Sequence, residues 1–395
     1  MIGMDILAQL IGGGDNWISL IFSFVMFGVL FFFYPRIMLS QIMWKLERTA
    51  EELEVMAEES KQFMAEQISK NPDKKLKDSV NNFFEFFVIS PVALDPYGVV
   101  KKLDLVIQNE KTRFTYFVNQ VAPHMNAEQK ANTEMGLAGG IEMHTIAKII
   151  RHYVELIRQT KSYQIALIIQ MQLPLIEKIA KSIYDGTRAL ARGEPVGDGL
   201  GPLVAAELME PKAKEIEEDI LMSEVTIDGR KCFVMKAKGP GGRLGRPGKA
   251  VEKIVSKNKI AMIITIDAAA KLEGEKTGAI AEGVGVAMGG PGVERTYIED
   301  VAVKHNIPID SVIVKMKSEE AIVPMKKEIK DAVPAAIERV RESLKRTQKG
   351  DKIIIVGVGN TSGVGNDRKA AAETKKWVDD YDSKAKREKK RKKFF

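Results

Sequence analysis

Eighteen consecutive residues without a charge, Trp17 to Tyr34, constrain this chain more than any other feature of it. The run is rich in Phe, Ile, Leu and Val, and as a helix it rises roughly 27 Å, close to the ~30 Å hydrocarbon layer of a bilayer. Trp17 at one end and Tyr34 and Trp44 near the other suit headgroup depth. A buried core helix would carry a polar face, and this run has almost none over five turns. A cleaved signal peptide would begin with positive charge and end in small residues; here Asp5 precedes the run and Tyr34-Pro35-Arg36 follows it. The expectation is a single-pass transmembrane helix. Asp5 and Asp15 lie before it and Arg36, Lys45 and Arg48 after it, so the positive-inside rule puts the N-terminus outside the cell membrane and the rest of the chain in the cytoplasm.

The remaining length allows two or three further domains among the 395 residues. The net charge of +7 is local: residues 384–395 hold eight Lys or Arg and one Glu, which leaves the rest of the chain near neutrality. Such a tail reads first as a solvated end, and otherwise as a contact for anionic lipid or for ribosomal or other RNA, with a membrane anchor favouring lipid or membrane-bound ribosomes over DNA. The single cysteine, Cys232, excludes a disulfide framework and a thiolate metal cluster. It sits in a strand-like run as a small buried hydrophobe.

The organisation expected is an α plus α/β chain: a membrane anchor over residues 1–39, a helical stalk over 40–72, a helical domain over 78–192, an α/β domain over 194–381 and a basic tail over 382–395. Ile42, Leu46, Leu53, Met56, Phe63 and Met64 form a stripe at helical spacing along the stalk, offering self-association into a homo-oligomer. Asn71-Pro72-Asp73 ends it. Ser90-Pro91, Asp95-Pro96, Pro123-His124 and a turn at Gly136–Gly140 punctuate the helices that follow. Tyr163–Ile176 is uncharged but short and holds three glutamines and Pro174, which suits a core or interfacial helix rather than a span. Phe83, Phe84, Phe86 and Phe87 suit a helical core. His144 and His152 stand two turns apart, roughly 12 Å along a helix, too far to share a metal ion.

After Gly193 short β-branched runs alternate with helical segments. The reading is a helix from Leu200 to about Leu221, strands near Glu224–Ile227 and Lys231–Lys236, and a Gly-rich loop at Gly239–Gly248. A helix near Lys249–Lys257, a strand at Ile260–Ile266, a helix at Val293–His305 and a strand at Ser311–Met316 come next. A helix at about Met325–Thr347, a strand at Lys352–Val358 and a helix at about Arg368–Tyr381 complete it. This order predicts a three-layer domain with a mostly parallel sheet. Ile260–Ile266 and Ile353–Val356 are apolar without alternation, as central parallel strands are.

Sites in such sheets lie at the carboxyl ends of the strands. One strand there delivers Asp267. Another delivers Gly357-Val358-Gly359-Asn360, with Asn366 and Asp367 beyond. Asp198 stands at a helix start in Gly197-Asp198-Gly199-Leu200-Gly201-Pro202. Paired carboxylates in that position can polarise water or hold a metal ion; Asp198 equally fits an N-cap and Asp267 a turn cap. Gly239–Ala250, with Arg243, Arg246 and Lys249, lies between strand and helix and could meet an anion at the helix start. It is no Walker A loop: five residues separate Gly242 from Gly248, and Ala250 stands where Ser or Thr would hold magnesium. Gly357, Gly359 and Gly363 likewise lack the G-x-G-x-x-G spacing.

Asp198-Gly199-Leu200-Gly201-Pro202, followed by a Gly-rich segment and a strand ending in Ile266-Asp267-Ala268, resembles hydrogenase maturation endopeptidases and the germination protease of bacterial spores. The resemblance covers roughly residues 194–380 and implies Asp198 and Asp267 as paired active-site acids. In those families a G-[IL]-G-N strand precedes the aspartate element; here Gly357-Val358-Gly359-Asn360 follows it, which implies a circular permutation. The histidine ligand of the hydrogenase enzymes has no match, because His305 falls at a helix end. The whole chain also looks like a family of archaeal membrane proteins without an established activity.

These readings lead to a membrane-tethered hydrolase, a peptidase acting on a protein substrate through Asp198 and Asp267. Gly357, Gly359, Asn360, Asn366, Arg243 and Lys249 would bind around them, and Glu273, Glu275 and Glu282 would be available for a basic group. No cofactor and no metal ligand set is named by the residues. The alternative is a non-catalytic membrane scaffold whose α/β domain binds an anion or nucleotide.

Overall fold

Residues Asn16 to Ile68 form one helix, α1 (Asn16–Ile68), which runs on through Gly28 and Pro35 because good helix formers dominate on either side. The computed structural model describes residues 16–90 and 98–394, with the side chains at 16–20, 30, 32, 35, 389, 390 and 392–394 left aside. Asp5, Asp15, the punctuation at 91–97 and Phe395 therefore lie outside the described residues, as do several side chains of the expected span. Among the described residues no helix is long and apolar enough to cross a membrane. The described apolar side chains of that stretch, including Phe22, Phe24, Phe27 and Phe31, are exposed.

Asp73 caps the next helix by accepting the Leu76 N–H at 2.8 Å, opening α2 (Lys74–Phe83). Then come α3 (Val99–Val121), α4 (Ala127–Thr160) and α5 (Tyr163–Arg192). The chain separates into two compact units, one of residues 1–55 with 145–178, the other of 56–144 with 179–395. In the first, segments of α1, α4 and α5 bury Ile42, Leu46, Leu53, Ile150, Val154, Ile157, Ile169 and Leu173. Much of the stalk stripe is thus used inside the chain. Arg151 forks onto Glu54 and reaches Glu47.

In the second unit the glycines at 136–140 do not turn the chain; they lie within α4. A Cβ at Gly136 would sit 2.6 Å from Ala191 Cβ, and one at Gly140 2.5 Å from Phe84 Cζ, so they are sites of close helix packing. Phe84 is buried and Phe83 stacks on Phe117, while Phe87 is exposed.

The α/β part opens with a one-turn 3-10 segment (Gly197–Gly199) and α6 (Leu200–Leu208). This helix is shorter than expected because Pro211 biases the chain toward extended backbone. Then follow β1 (Lys214–Glu217), β2 (Ile220–Ile227), β3 (Arg230–Ala237), α7 (Pro247–Val255), β4 (Met262–Ala270) and β5 (Ile280–Val284). α8 (Val293–His305), β6 (Ile309–Met316), α9 (Ser318–Ile322), α10 (Lys327–Asp331), α11 (Val333–Leu344), β7 (Lys352–Gly357) and α12 (Arg368–Phe394) complete it. Asp228 and Gly229, at φ 49° and 80°, make the β2–β3 turn, as Asp-Gly hairpins do. Pro334, in the first turn of α11, divides what reads as one helix from Met325 onward.

The seven strands order as β1-β2-β3-β7-β4-β6-β5. β3, β7, β4 and β6 are parallel; β1, β2 and β5 add antiparallel edges. One face packs on α6, α11 and α12 through Leu203, Ile264, Ile266, Val340 and Ile355. The other packs on α7 and α8 through Val251, Ile263, Ile298, Ile354 and Val356. Each such side chain contributes about 1.5–3 kcal/mol. After β7 the chain departs to α12 on the first face, whereas after β4 it passes through edge strand β5 and reaches α8 on the second. That divergence opens a crevice at the carboxyl ends of these neighbours. The tail does not leave the fold as a coil: α12 continues to Phe394, since Lys, Arg, Glu and Ala are good helix formers and no breaker intervenes.

Candidate functional site

The start of α6 rests directly on the sheet edge. A Cβ at Gly201 would lie 2.2 Å from the Val358 carbonyl and 2.4 Å from that of Ile266, so only glycine fits there. Gly357 faces it from β7, where a Cβ would come within 2.5 Å of the Gly201 carbonyl. Gly359, at φ 130°, lets the loop after β7 pass under the Asp198 carbonyl. These approaches hold Asp198 above the crevice, where its Oδ2 accepts the Asn360 backbone N–H at 2.7 Å.

Asp267 arrives from the sheet itself. β4 does not end at Ile266 but pairs with β6 as far as Ala270. The β4–β7 pairing stops at Ile266 and Gly357, so Asp267 stands one residue past the end of β7. It is 4% exposed and its Oδ1 accepts the Ala268 N–H at 2.7 Å. Asp198 and Asp267 line one cavity of about 400 Å³ together with Gly357, Val358 and Gly359. Its walls are Leu244–Pro247 in part, the Met288–Glu294 loop, and Asp104, Ile107 and Gln108 of α3.

Burial, and after it the charge of Asp198, pushes the Asp267 carboxyl up to about 8. Burial also raises Asp198, against the Asn360 N–H that favours its ionised form. Burial thus favours the neutral form of both carboxyls, and the charge of Asp198 adds to that effect at Asp267.

Two family models describe this chain: the DUF1512 protein of unknown function, N-terminal domain, over residues 20–193, and the DUF1512 domain of unknown function, C-terminal, over residues 196–365. The chain belongs to the DUF1512 family. No curated protein and no solved structure matches it. The two family domains meet just ahead of Asp198, so the candidate acids, Asn360 and the glycines beside them all belong to the C-terminal one.

The other residues expected at this DUF1512 site are placed as follows. The Asn360 side chain turns its own loop, accepting the Ser362 N–H at 2.8 Å and reaching Met135 Sδ at 3.3 Å. Asn366 clasps Gly239, accepting its N–H at 2.8 Å and donating to its carbonyl at 2.7 Å. Arg243 binds Glu128 at 2.6 Å, with Asp219 at 3.4 Å. Lys249 lies over the Tyr297 ring at 3.9 Å and near Glu252. None of these four lines the cavity with Asp198 and Asp267. Glu273, Glu275 and Glu282 pair with Lys317, Lys315 and Arg339. His144 meets Glu85 at 2.8 Å. Among the described residues no group of three or more His, Cys, Asp or Glu could hold a metal ion.

The Gly-rich loop is occupied from within the chain. Gly241 donates to Glu128 at 2.6 Å and Gly242 to Asn132 at 2.8 Å. The start of α7, where an anion would sit, is capped by Glu294, which accepts the Gly248 N–H at 2.7 Å. Arg246 holds Asp104 in a fork at 2.7 and 2.8 Å and Glu294 at 3.2 Å.

Three features escaped sequence reasoning. The Asp104–Arg246–Glu294 cluster joins elements far apart in the chain. The Gly289–Gly292 segment walls the cavity, and its signal was the glycine-rich run before α8. Lys236 is fully buried on the α6 side, bonding Ala237 O at 2.8 Å and Asn366 at 3.0 Å, and burial pushes its ammonium down to about 7. A lysine alternating with Cys232 and Val234 in a buried strand was the sign of it.

Proposed function

We propose that this DUF1512 chain is a membrane-tethered peptidase that hydrolyses its substrate with Asp198 and Asp267. The observation that carries the reading is their convergence on one cavity at the carboxyl ends of β4 and β7. In this reading the ionised member of the pair takes a proton from water and the neutral member protonates the leaving group. Burial raises both carboxyls; the Asn360 N–H favours Asp198 as the base, and the added charge of Asp198 favours Asp267 as the acid. Contact between the Asp198–Pro202 and Gly357–Asn360 segments, far apart in the chain, supports the permuted likeness to hydrogenase maturation endopeptidases and the germination protease. Less supports the anion-binding scaffold, because Arg243, Arg246 and the α7 start already have carboxylate partners.

The exposed apolar side chains of α1 support its role as anchor, with flanking charge directing the α/β part to the cytoplasm. The basic end of α12 is proposed to touch anionic lipid or ribosomes. Deleting Lys384–Phe395 should weaken binding to anionic vesicles in a salt-sensitive way; unchanged binding would remove lipid from that role.

The test of the enzyme uses the full chain in lipid vesicles, incubated with cytosolic and membrane proteins, with new peptide termini read by mass spectrometry. Cleavage by the parent that is lost in both Asp198→Asn and Asp267→Asn is the expected result. Absence of cleavage, or equal cleavage by the variants, would refute it.

A further inference from the structure

The first half of α5 carries an apolar surface that the described residues leave exposed. Ala166, Ile169 and Leu173 are buried. On the opposite side, by the 3.6-residue period, Leu167, Ile168 and Met171 are 39%, 54% and 74% exposed. No charge occurs between Tyr163 and Ile176. A helix face bathed in water ordinarily carries charge.

The position of this face is set by ion pairs within one compact unit. Glu47 meets both Arg151 and Arg158, and Glu54 meets Arg151. α1 and α4 therefore run antiparallel. Only residues 161 and 162 separate α4 from α5, so α5 returns parallel to α1. Thr49 donates to Glu177 at 2.9 Å, which fixes the level. Fourteen residues back along each helix, roughly 21 Å, Tyr163 stands level with position 35 of α1. There the exposed apolar surface of α1, up to Phe33, Tyr34 and Ile37, gives way to polar sequence. Met171 stands level with position 43, beside Trp44, itself 68% exposed. Cationic Arg36, Lys45, Arg48 and Lys161 occupy the same zone. Apolar side chains, an exposed tryptophan and cations at one level are the chemistry of a bilayer's headgroup boundary.

We propose that the first turns of α5 lie in that boundary, with Leu167, Ile168 and Met171 set into the lipid that receives α1 and Lys161 among anionic headgroups. The apolar surface of α5 continues that of α1, which is why lipid is chosen over a second copy of the chain. The inference rests on the reading of α1 as anchor.

The full chain in vesicles of zwitterionic and anionic phospholipid tests it. In a Cys232→Ala background, spin labels are placed one at a time on Ile168→Cys, Met171→Cys, Phe27→Cys and Val284→Cys. Val284 is 91% exposed on β5 and serves as the aqueous reference. Collision rates with molecular oxygen and a water-soluble nickel chelate give depth. The expected result places labels at 168 and 171 between those at 27 and 284, shielded from nickel at least tenfold relative to 284. Nickel access at 168 and 171 equal to that at 284, with 27 shielded, would overturn the proposal and leave the anchor standing. Nickel access at 27 as well would overturn both. Shielding at 168 and 171 from both reagents, with dipolar broadening between labels, would assign the face to a second copy and overturn the proposal.

Discussion

Replacing Asp267 with asparagine is expected to stabilise the fold at neutral pH. In the folded chain this carboxyl sits at about 8, against an ordinary value of 3.8. Between these two pH values the folded state binds a proton that the unfolded state releases. Stability therefore falls by ~1.4 kcal/mol for each pH unit of rise, starting from its full value below about pH 4. By pH 7 this one group has lowered stability by ~4 kcal/mol. Above about pH 8 both states are ionised and the slope flattens. Asparagine has nearly the same shape, keeps an oxygen for the Ala268 N–H and does not titrate. Allowing for local relaxation, Asp267→Asn should gain ~2–4 kcal/mol at pH 7 and about nothing at pH 4. Urea unfolding across that range would measure it in a Trp17→Phe, Trp44→Phe background. Trp377, the one tryptophan left, packs against the core of the α/β domain. A variant less stable than the parent at pH 7, or a difference independent of pH, would refute the assignment of a buried, protonated Asp267.

Three further outcomes follow from the same geometry. Hydrolysis should decline about tenfold per unit above about pH 8, as Asp267 loses the proton it donates; a rate flat to pH 10 would assign the acid elsewhere. Gly201→Ala should abolish the folded α/β domain or lower stability by more than ~3 kcal/mol, since its Cβ would meet two carbonyls under 2.5 Å away; an unchanged urea midpoint would contradict that approach. Gly289→Val should change stability by under ~1 kcal/mol, because a Cβ there meets nothing within 4 Å. It should raise KM at least tenfold by standing in the cavity; unchanged kinetics would take substrate away from that wall.

The central strands were legible in sequence because largely apolar runs without alternation, such as Ile260–Ile266 and Ile353–Val356, state their own burial, whichever neighbours they find. They became β4 and β7, side by side. α8 keeps the expected bounds of Val293–His305, and the Asp198 element was visible as a glycine-spaced helix start. These are properties carried by residues within a turn or two of each other. Edge strands were not legible: Lys214–Glu217 is polar and becomes β1 only by pairing with β2. Nor were the glycines of α4, which read as a turn until Ala191 and Phe84 close on them. The candidate site divides along the same line. Sequence alone supplied two acids and the glycines beside them. Only the tertiary structure brought Asp198 against the end of β7 and raised Asp267 by burial. It also placed Glu128 on Arg243 and Glu294 on the start of α7, filling the anion-binding positions that the loop had offered. Pairing and desolvation depend on what lies opposite in space, and for these residues that partner is some fifty to a hundred and sixty positions away in the chain.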